Sequence, residues 1–155
     1  AADELLPLCV AKRLSLRISP PEVSTVLEFD GLRISQVVRN LLGNAIKFTL
    51  EGGVIDVSFT TGHLPSDKTV DVLQLTVRDQ GIGIPEDELE SIFDKFIQSS
   101  KTQTGAGGAG LGLAICREIV RGHGGEIMAR NNAEGGASLI VYLPYHIEEP
   151  MHDRA

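Results

Sequence analysis

GAGGAGLGLAI, residues Gly105–Ile115, is the stretch on which the choice of fold turns. Gly105, Gly107 and Gly110 satisfy G-x-G-x-x-G, the fingerprint of a dinucleotide-binding strand–turn–helix unit. That unit needs a buried strand immediately before its first glycine, because the glycines make the turn under the pyrophosphate. Here the preceding residues are IQSSKTQT, too polar for a buried parallel strand. The acid expected about twenty residues further on is also poorly placed, since Glu126 comes early. No Gly-Lys-Ser/Thr occurs, so a Walker loop is excluded as well. What remains is the shared physics: glycines before a helix let bare N–H groups converge on an anion at the positive end of the helix dipole. By itself the motif reads more readily as an exposed, flexible linker, because short motifs match by chance often.

The rest of the chain bounds the possibilities. Its 155 residues are enough for one continuous core, and 42% apolar with 23% charged residues is ordinary for a globular domain. A net charge of -7 argues against a nucleic-acid surface. Cys9 and Cys116 form neither a ligand spacing nor a disulfide framework, so a reducing compartment is expected. No apolar run approaches a membrane span and no secretory signal opens the sequence, so a cytoplasmic domain without direct membrane contact is expected.

Patterning predicts strands over Leu14–Ile18 and Val26–Phe29, then a helix capped by Asp30 over Leu32–Phe48. Val54–Thr61 and VDVLQLTVRD, ending at Asp79, read as a strand pair with a long polar connection, HLPSDKT. Pro85 is expected at the first position of a short helix ending near Phe93. Asp94–Ala109 reads as a mobile loop, and Gly110–Gly122 as a helix. GEIMAR and ASLIVYLP then form strands around AEGG. The expected architecture is α+β: a two-layer sandwich of a mixed, mostly antiparallel sheet covered on one face by helices.

Two further stretches carry chemistry. In QVVRNLLGNAIKFT, Asn40, Asn44 and Lys47 share one helix face. Asn in a helix interior is less favourable than Ala by about half a kcal/mol or more, and Gly43 by about 1 kcal/mol. A merely solvated face would be expected to carry Glu, Lys or Arg. Amide oxygens one turn apart with an ammonium beside them suit Mg²⁺ bound to phosphates. In RDQGIGIP, Asp79 ends a strand with Gly81 and Gly83 after it, a common turn composition. The same residues make a base pocket, because a carboxylate accepts from the adenine amino group and repels the guanine carbonyl.

In this order, NLLGNAIKFT, DQGIGIP, IFDKFIQ and GAGLGLAI resemble the N, G1, F and G2 boxes of sensor histidine kinases. The chain is similar, from about Lys12 to Pro144, to their catalytic and ATP-binding domain. That domain belongs to the GHKL superfamily with DNA gyrase B, MutL and the ninety-kilodalton heat-shock chaperone, and its Bergerat fold carries a mobile ATP lid. The resemblance implies that Asn44 binds Mg²⁺, Asn40 supports metal and phosphates, and Lys47 contacts phosphate. It implies Asp79 on the adenine amino group, with Gly81, Gly83 and Ile84 shaping the base pocket. Phe93 and Phe96 would anchor the lid. Gly108, Ala109, Gly110, Leu111 and Gly112 would line the triphosphate, and Ser138 would reach adenine through a water. Lys101 is the expected lid cation, in a lid that has no arginine where many relatives have one.

Hydrolytic superfamily members place a glutamate base one turn before the metal asparagine. Asn40 stands there instead and cannot take a proton. None of His63, His123, His146 and His152 resembles the family's phosphoacceptor context. The resemblance therefore implies a module, residues 1–145, that transfers the γ-phosphoryl group of ATP to a histidine on a separate dimerisation domain. A response regulator would act downstream. Residues 1–11 are expected to be a linker and 146–155 a flexible tail. A GHKL ATPase clamp and a regulatory nucleotide-binding module without kinase activity stay open as alternatives.

Overall fold

Alternation in VIDVSF and LQLTV puts every second apolar side chain on one side of a sheet, and that side is where the core forms. The computed structural model describes residues 13–19, 31–49, 51–94 and 112–144. Within these, the strands are β1 (Ser15–Ser19), β2 (Val54–Leu64), β3 (Asp67–Arg78), β4 (Glu126–Asn131) and β5 (Ala137–Pro144), and the helices α1 (Gly31–Phe48) and α2 (Gly112–Gly122). The five strands make one sheet in the order β1-β2-β3-β5-β4. β1 runs parallel to β2, and every other neighbouring pair is antiparallel. The expected mixed, mostly antiparallel sheet is present.

Register aligns the inward residues in rows across the sheet. Val57 pairs with Val77, Val77 with Leu139, and Leu139 with Ala129; Phe59, Leu75, Val141 and Ile127 form the next row. Onto these rows pack Val37, Leu41, Leu42, Ala45 and Ile46 of α1 and Cys116, Ile119 and Val120 of α2. Each fully buried Val, Leu or Ile among them contributes about 1.5–3 kcal/mol of hydrophobic stabilisation. The 3.6-residue spacing of these positions leaves the opposite face of α1 for other work.

Three local expectations are corrected. The strand pair has no long connection. β2 and β3 continue until only Pro65 and Ser66 turn between them, with a register irregularity between His63 and Leu64. The polar residues there are paired: across the hairpin His63 Nδ1 lies 3.2 Å from Asp71 Oδ1, and within β3 the Asp67 carboxylate accepts from the Thr69 N–H at 3.0 Å. Polar composition marked a solvated hairpin end rather than a loop. Pro85 is extended (φ -55°, ψ 137°) rather than helical. The expected short helix is instead two three-residue 3₁₀ turns, Glu86–Glu88 and Ser91–Phe93. The expected strand Val26–Phe29 and nearly all of the loop Asp94–Ala109 lie outside the described residues.

Candidate nucleotide site

Asp79 leaves β3 where the sheet ends, and its carboxylate is held by backbone. Oδ1 accepts from the Gly81 N–H and from the Ala137 N–H, each at 2.9 Å. The Asp79 N–H in turn donates to the Ala137 carbonyl at 2.9 Å. Both bonds use the same oxygen, so the second carboxylate oxygen is the one left to take an exocyclic amine. Burial pushes the Asp79 carboxyl above the ordinary carboxylate range, and the two N–H donors offset this only in part.

Gly81 and Gly136 make this approach possible. A Cβ at Gly81 would stand 2.4 Å from the Phe48 carbonyl oxygen. At Gly136, with φ +79°, a Cβ would stand 2.2 Å from the Asp79 carbonyl oxygen. Gly83 lies against Asn131, whose side chain clamps the backbone of Ile84. Asn131 Oδ1 accepts from the Ile84 N–H at 2.8 Å, and its Nδ2 donates to the Ile84 carbonyl at 2.6 Å. Ser138 is buried, and its hydroxyl donates to Asn132 Oδ1 at 2.7 Å. Asn132 Nδ2 donates to the Asp79 carbonyl at 3.3 Å, so Ser138 stands two links from the pocket's acid.

An isolated antiparallel bridge between Thr49 and Gly81 joins this end of the site to the C-terminus of α1. Asn40, Asn44 and Lys47, at i, i+4 and i+7, are each only partly buried, on the face turned from the core. Lys47 Nζ lies 5.4 Å from the centre of the Phe48 ring. Asn40 Nδ2 donates to the Gly112 carbonyl at 3.4 Å, which ties α1 to the first turn of α2. The start of α2 thus meets α1 at Asn40 and the Gly81 turn meets the C-terminal end of the same helix, although the three segments lie far apart in sequence. Phe93 is buried in the core beneath the second 3₁₀ turn. Beside it, Asp94 accepts from Arg117 of α2 at 3.1 Å. Phe96, Lys101, Gly108, Ala109, Gly110 and Leu111 lie outside the described residues.

The donor set suits Mg²⁺ bound together with a polyphosphate. Among the described residues no three His, Cys, Asp or Glu side chains converge as a metal cage. An ion that keeps water and phosphate oxygens as ligands needs only one or two protein oxygens, which Asn44 with Asn40 beside it can offer. Among the described residues no helix is long and apolar enough to cross a membrane.

Asn131, Asn132 and Gln80 were not expected at the site. Gln80 Oε1 accepts from the Val54 N–H at 3.0 Å, fixing the turn after Asp79 to the start of β2. Asn131 and Asn132 are separated by about fifty positions from the residues they hold, and their pair gives only a turn signal in the sequence. Their role comes from the β4–β5 register, which no local pattern reports.

Comparison with known proteins gives a consistent result. Residues 29–147 match the family described as "Histidine kinase-, DNA gyrase B-, and HSP90-like ATPase". The chain is 37% identical to the sensor histidine kinase WalK of Bacillus subtilis over 130 residues, 83% of this chain and 20% of that protein. It is 36% identical to the alginate biosynthesis sensor protein KinB of Pseudomonas aeruginosa over 144 residues, 93% of this chain and 22% of that protein. The chain thus spans about a fifth of the length of these relatives. Among solved structures, the nucleotide-free catalytic domain of histidine kinase ThkA superposes with a TM-score of 0.74 at 29% identity, covering 92% of this chain and 87% of that one. Full-length ShkA in complex with AMPPNP gives a TM-score of 0.71 at 26% identity, over 96% of this chain and 29% of that one.

Proposed function

Because the chain belongs to the histidine kinase-, DNA gyrase B- and HSP90-like ATPase family and is a sensor-kinase catalytic domain, we propose that it binds ATP with Mg²⁺ and donates the γ-phosphoryl group to a histidine of a separate dimerisation domain. The observation that carries the nucleotide half is Asp79. One of its oxygens accepts from two backbone N–H groups, and the other remains as an acceptor, while Gly81 and Gly136 let the surrounding backbone close in on the acid. Adenine presents an amine there and guanine a carbonyl, so adenine is selected.

At the other end, Asn44 supplies a metal ligand, Asn40 supports it, and Lys47 neutralises phosphate charge. Bound Mg²⁺ would screen the charge of the triphosphate oxygens. Lys101, Phe96 and Gly108–Gly112 would complete the phosphate end from the lid, and Ser138 would contact adenine through water. Phosphoryl transfer needs chiefly position and charge neutralisation, both of which these side chains offer. Asn40 cannot accept a proton, so no side chain at that position activates water. An imidazole is itself a nucleophile and needs no such base. A response regulator downstream is part of the same reading; the related ThkA has been solved in complex with its response regulator TrrA.

The test compares phosphate release by the chain alone with phosphorylation of an added cognate histidine-bearing hairpin at matched ATP. Labelled hairpin with little free phosphate is expected. Rapid phosphate release with no labelled histidine would move the chain to the ATPase branch of the family. ATP binding with neither product would identify a regulatory module.

A further inference from the structure

The row of the sheet that ends in Asp79 continues to the edge strand. Asn131 pairs with Ala137 in the β4–β5 register. Ala137 gives its N–H to Asp79 Oδ1 and accepts the Asp79 N–H, each at 2.9 Å. Asn131, Ala137 and Asp79 lie two positions along their strands from Ala129, Leu139 and Val77, the row that packs on the core, so they share its face. Asp79 and Asn131 thus stand two strand spacings apart, roughly 10 Å, with only the small Ala137 between them. The loop of Gln80, Gly81, Ile82 and Gly83 leaves this row at Asp79, and Ile84 returns to it at Asn131. Ile84 lies in no strand, and Pro85 after it has no N–H to offer. Both of its peptide groups go to one side chain. The Ile84 N–H donates to Asn131 Oδ1 at 2.8 Å, and the Ile84 carbonyl accepts from Asn131 Nδ2 at 2.6 Å.

The orientation of that amide is set by its partners. An N–H only donates and a carbonyl only accepts, so the flipped amide would oppose donor to donor and acceptor to acceptor. Only an Asn or Gln amide offers one donor and one acceptor side by side on a planar group. It gives Ile84 what a facing residue gives in an antiparallel pair. Gly83 admits the close approach, since a Cβ there would stand 3.2 Å from Asn131 Oδ1. We propose that Asn131 is a positioning residue for the nucleotide base: by clamping Ile84 two strand spacings from Asp79, it fixes the wall of the base pocket opposite the acid. The proposal rests on the ATP reading and deepens it. The Ile84 side chain packs against the core while Asn131 grips its peptide, so the wall is held from both sides. A wall ordered before the base enters adds no ordering cost on binding, and the affinity gain comes from there.

The test uses the whole chain with two variants of similar shape. Asn131→Leu loses both arms of the clamp, and Asn131→Asp keeps the acceptor for the Ile84 N–H but loses the donor. Without ligand, hydrogen exchange at the Ile84 amide should be at least about tenfold faster in Asn131→Leu and near native in Asn131→Asp. In calorimetry, adenosine affinity should fall about tenfold in Asn131→Leu and about threefold in Asn131→Asp, the scale of neutral hydrogen bonds. The ratio of ATP affinities with and without Mg²⁺ should stay native in both, because the wall acts on the base and not on the phosphates. Native Ile84 exchange or native adenosine affinity in Asn131→Leu would overturn the proposal. So would a changed Mg²⁺ ratio alongside the adenosine loss, which would show a general loosening of the domain. If Asn131→Leu does not fold, the adenosine affinity and Mg²⁺ ratio of Asn131→Asp decide in the same way. If the unmodified chain binds neither adenosine nor ATP, the nucleotide reading fails and this proposal with it. Adenosine bound equally by native and variant chains overturns the proposal alone.

Discussion

At the base end of the site, the acid is fixed by backbone: two N–H donors on one oxygen of Asp79, a glycine on either side, and an asparagine clamp on Ile84. At the proposed phosphate end, Asn40, Asn44 and Lys47 share one face of a single helix, and the Asn40 amide donates to the Gly112 carbonyl of α2 at 3.4 Å. The first arrangement is rigid because its groups are part of the sheet's own bonding. The second depends on side-chain rotamers, which a ligand can still order. A base is flat and invariant, so a prebuilt slot suits it. A triphosphate with its cation is flexible and hydrated, and helix-borne side chains follow it at little structural cost.

The largest effect is expected from Gly136→Ala. A Cβ there meets the Asp79 carbonyl oxygen at 2.2 Å from a positive φ, so backbone must move at the stiff end. A loss of about 2–4 kcal/mol in denaturant unfolding is expected, the scale of strained-backbone and overpacking substitutions. An unchanged midpoint would show that the base end is looser than described.

Next comes Asn44→Ala at the proposed phosphate end, a partly buried helix position where truncation to Ala should leave the fold intact. It should remove most of the Mg²⁺ dependence of ATP binding, on the order of tenfold in affinity, by analogy with losses at supporting positions of metal sites. Adenosine binding should be little changed. Full Mg²⁺-dependent affinity in the variant would return Asn44 to an ordinary solvated helix face.

The pH dependence also separates the ends. Burial raises the folded pKa of Asp79 above that of an ordinary exposed aspartate. Between the unfolded and folded pKa the native state holds more protons than the unfolded one. The contribution of Asp79 to stability therefore falls as pH rises through that window and recovers as pH falls. The proposed adenine binding should run the opposite way, since the adenine amine would need the ionised acid. Affinity for adenosine should drop on acidification at a pH above that of ordinary aspartates, while the unliganded domain gains stability from this group. Affinity flat down to the ordinary aspartate range would remove Asp79 from the base pocket.

The smallest effect is expected at Gly43, which shares the face of Asn40 and Lys47. An added Cβ meets nothing within 4 Å, so Gly43→Ala should stabilise the helix by about 1 kcal/mol. If the phosphate lies over this face, the same change should weaken ATP binding. A gain in stability with no loss of affinity would place the phosphates elsewhere.

How much of this was legible in the sequence follows the same division. The helix face was readable because Asn40, Asn44 and Lys47 are spaced locally and two asparagines with a glycine are costly there. Asp79 was readable as the acid at a strand's end. Asn131 and Asn132 were not, because their partners are set by strand register across about fifty positions. The two-residue hairpin turn was missed because paired polar residues at a solvated strand end have the composition of a loop.

The most direct test of the account is calorimetry of ATP and of GTP at fixed Mg²⁺, with the wild type and with Asp79→Asn. The native chain should prefer ATP, and the Asn variant should lose more than tenfold in ATP affinity, because a hydrogen bond to a charged group is worth roughly 1.5–3 kcal/mol. Equal affinity of the native chain for the two nucleotides, or ATP binding unchanged in Asp79→Asn, would contradict the assignment of this pocket to adenine.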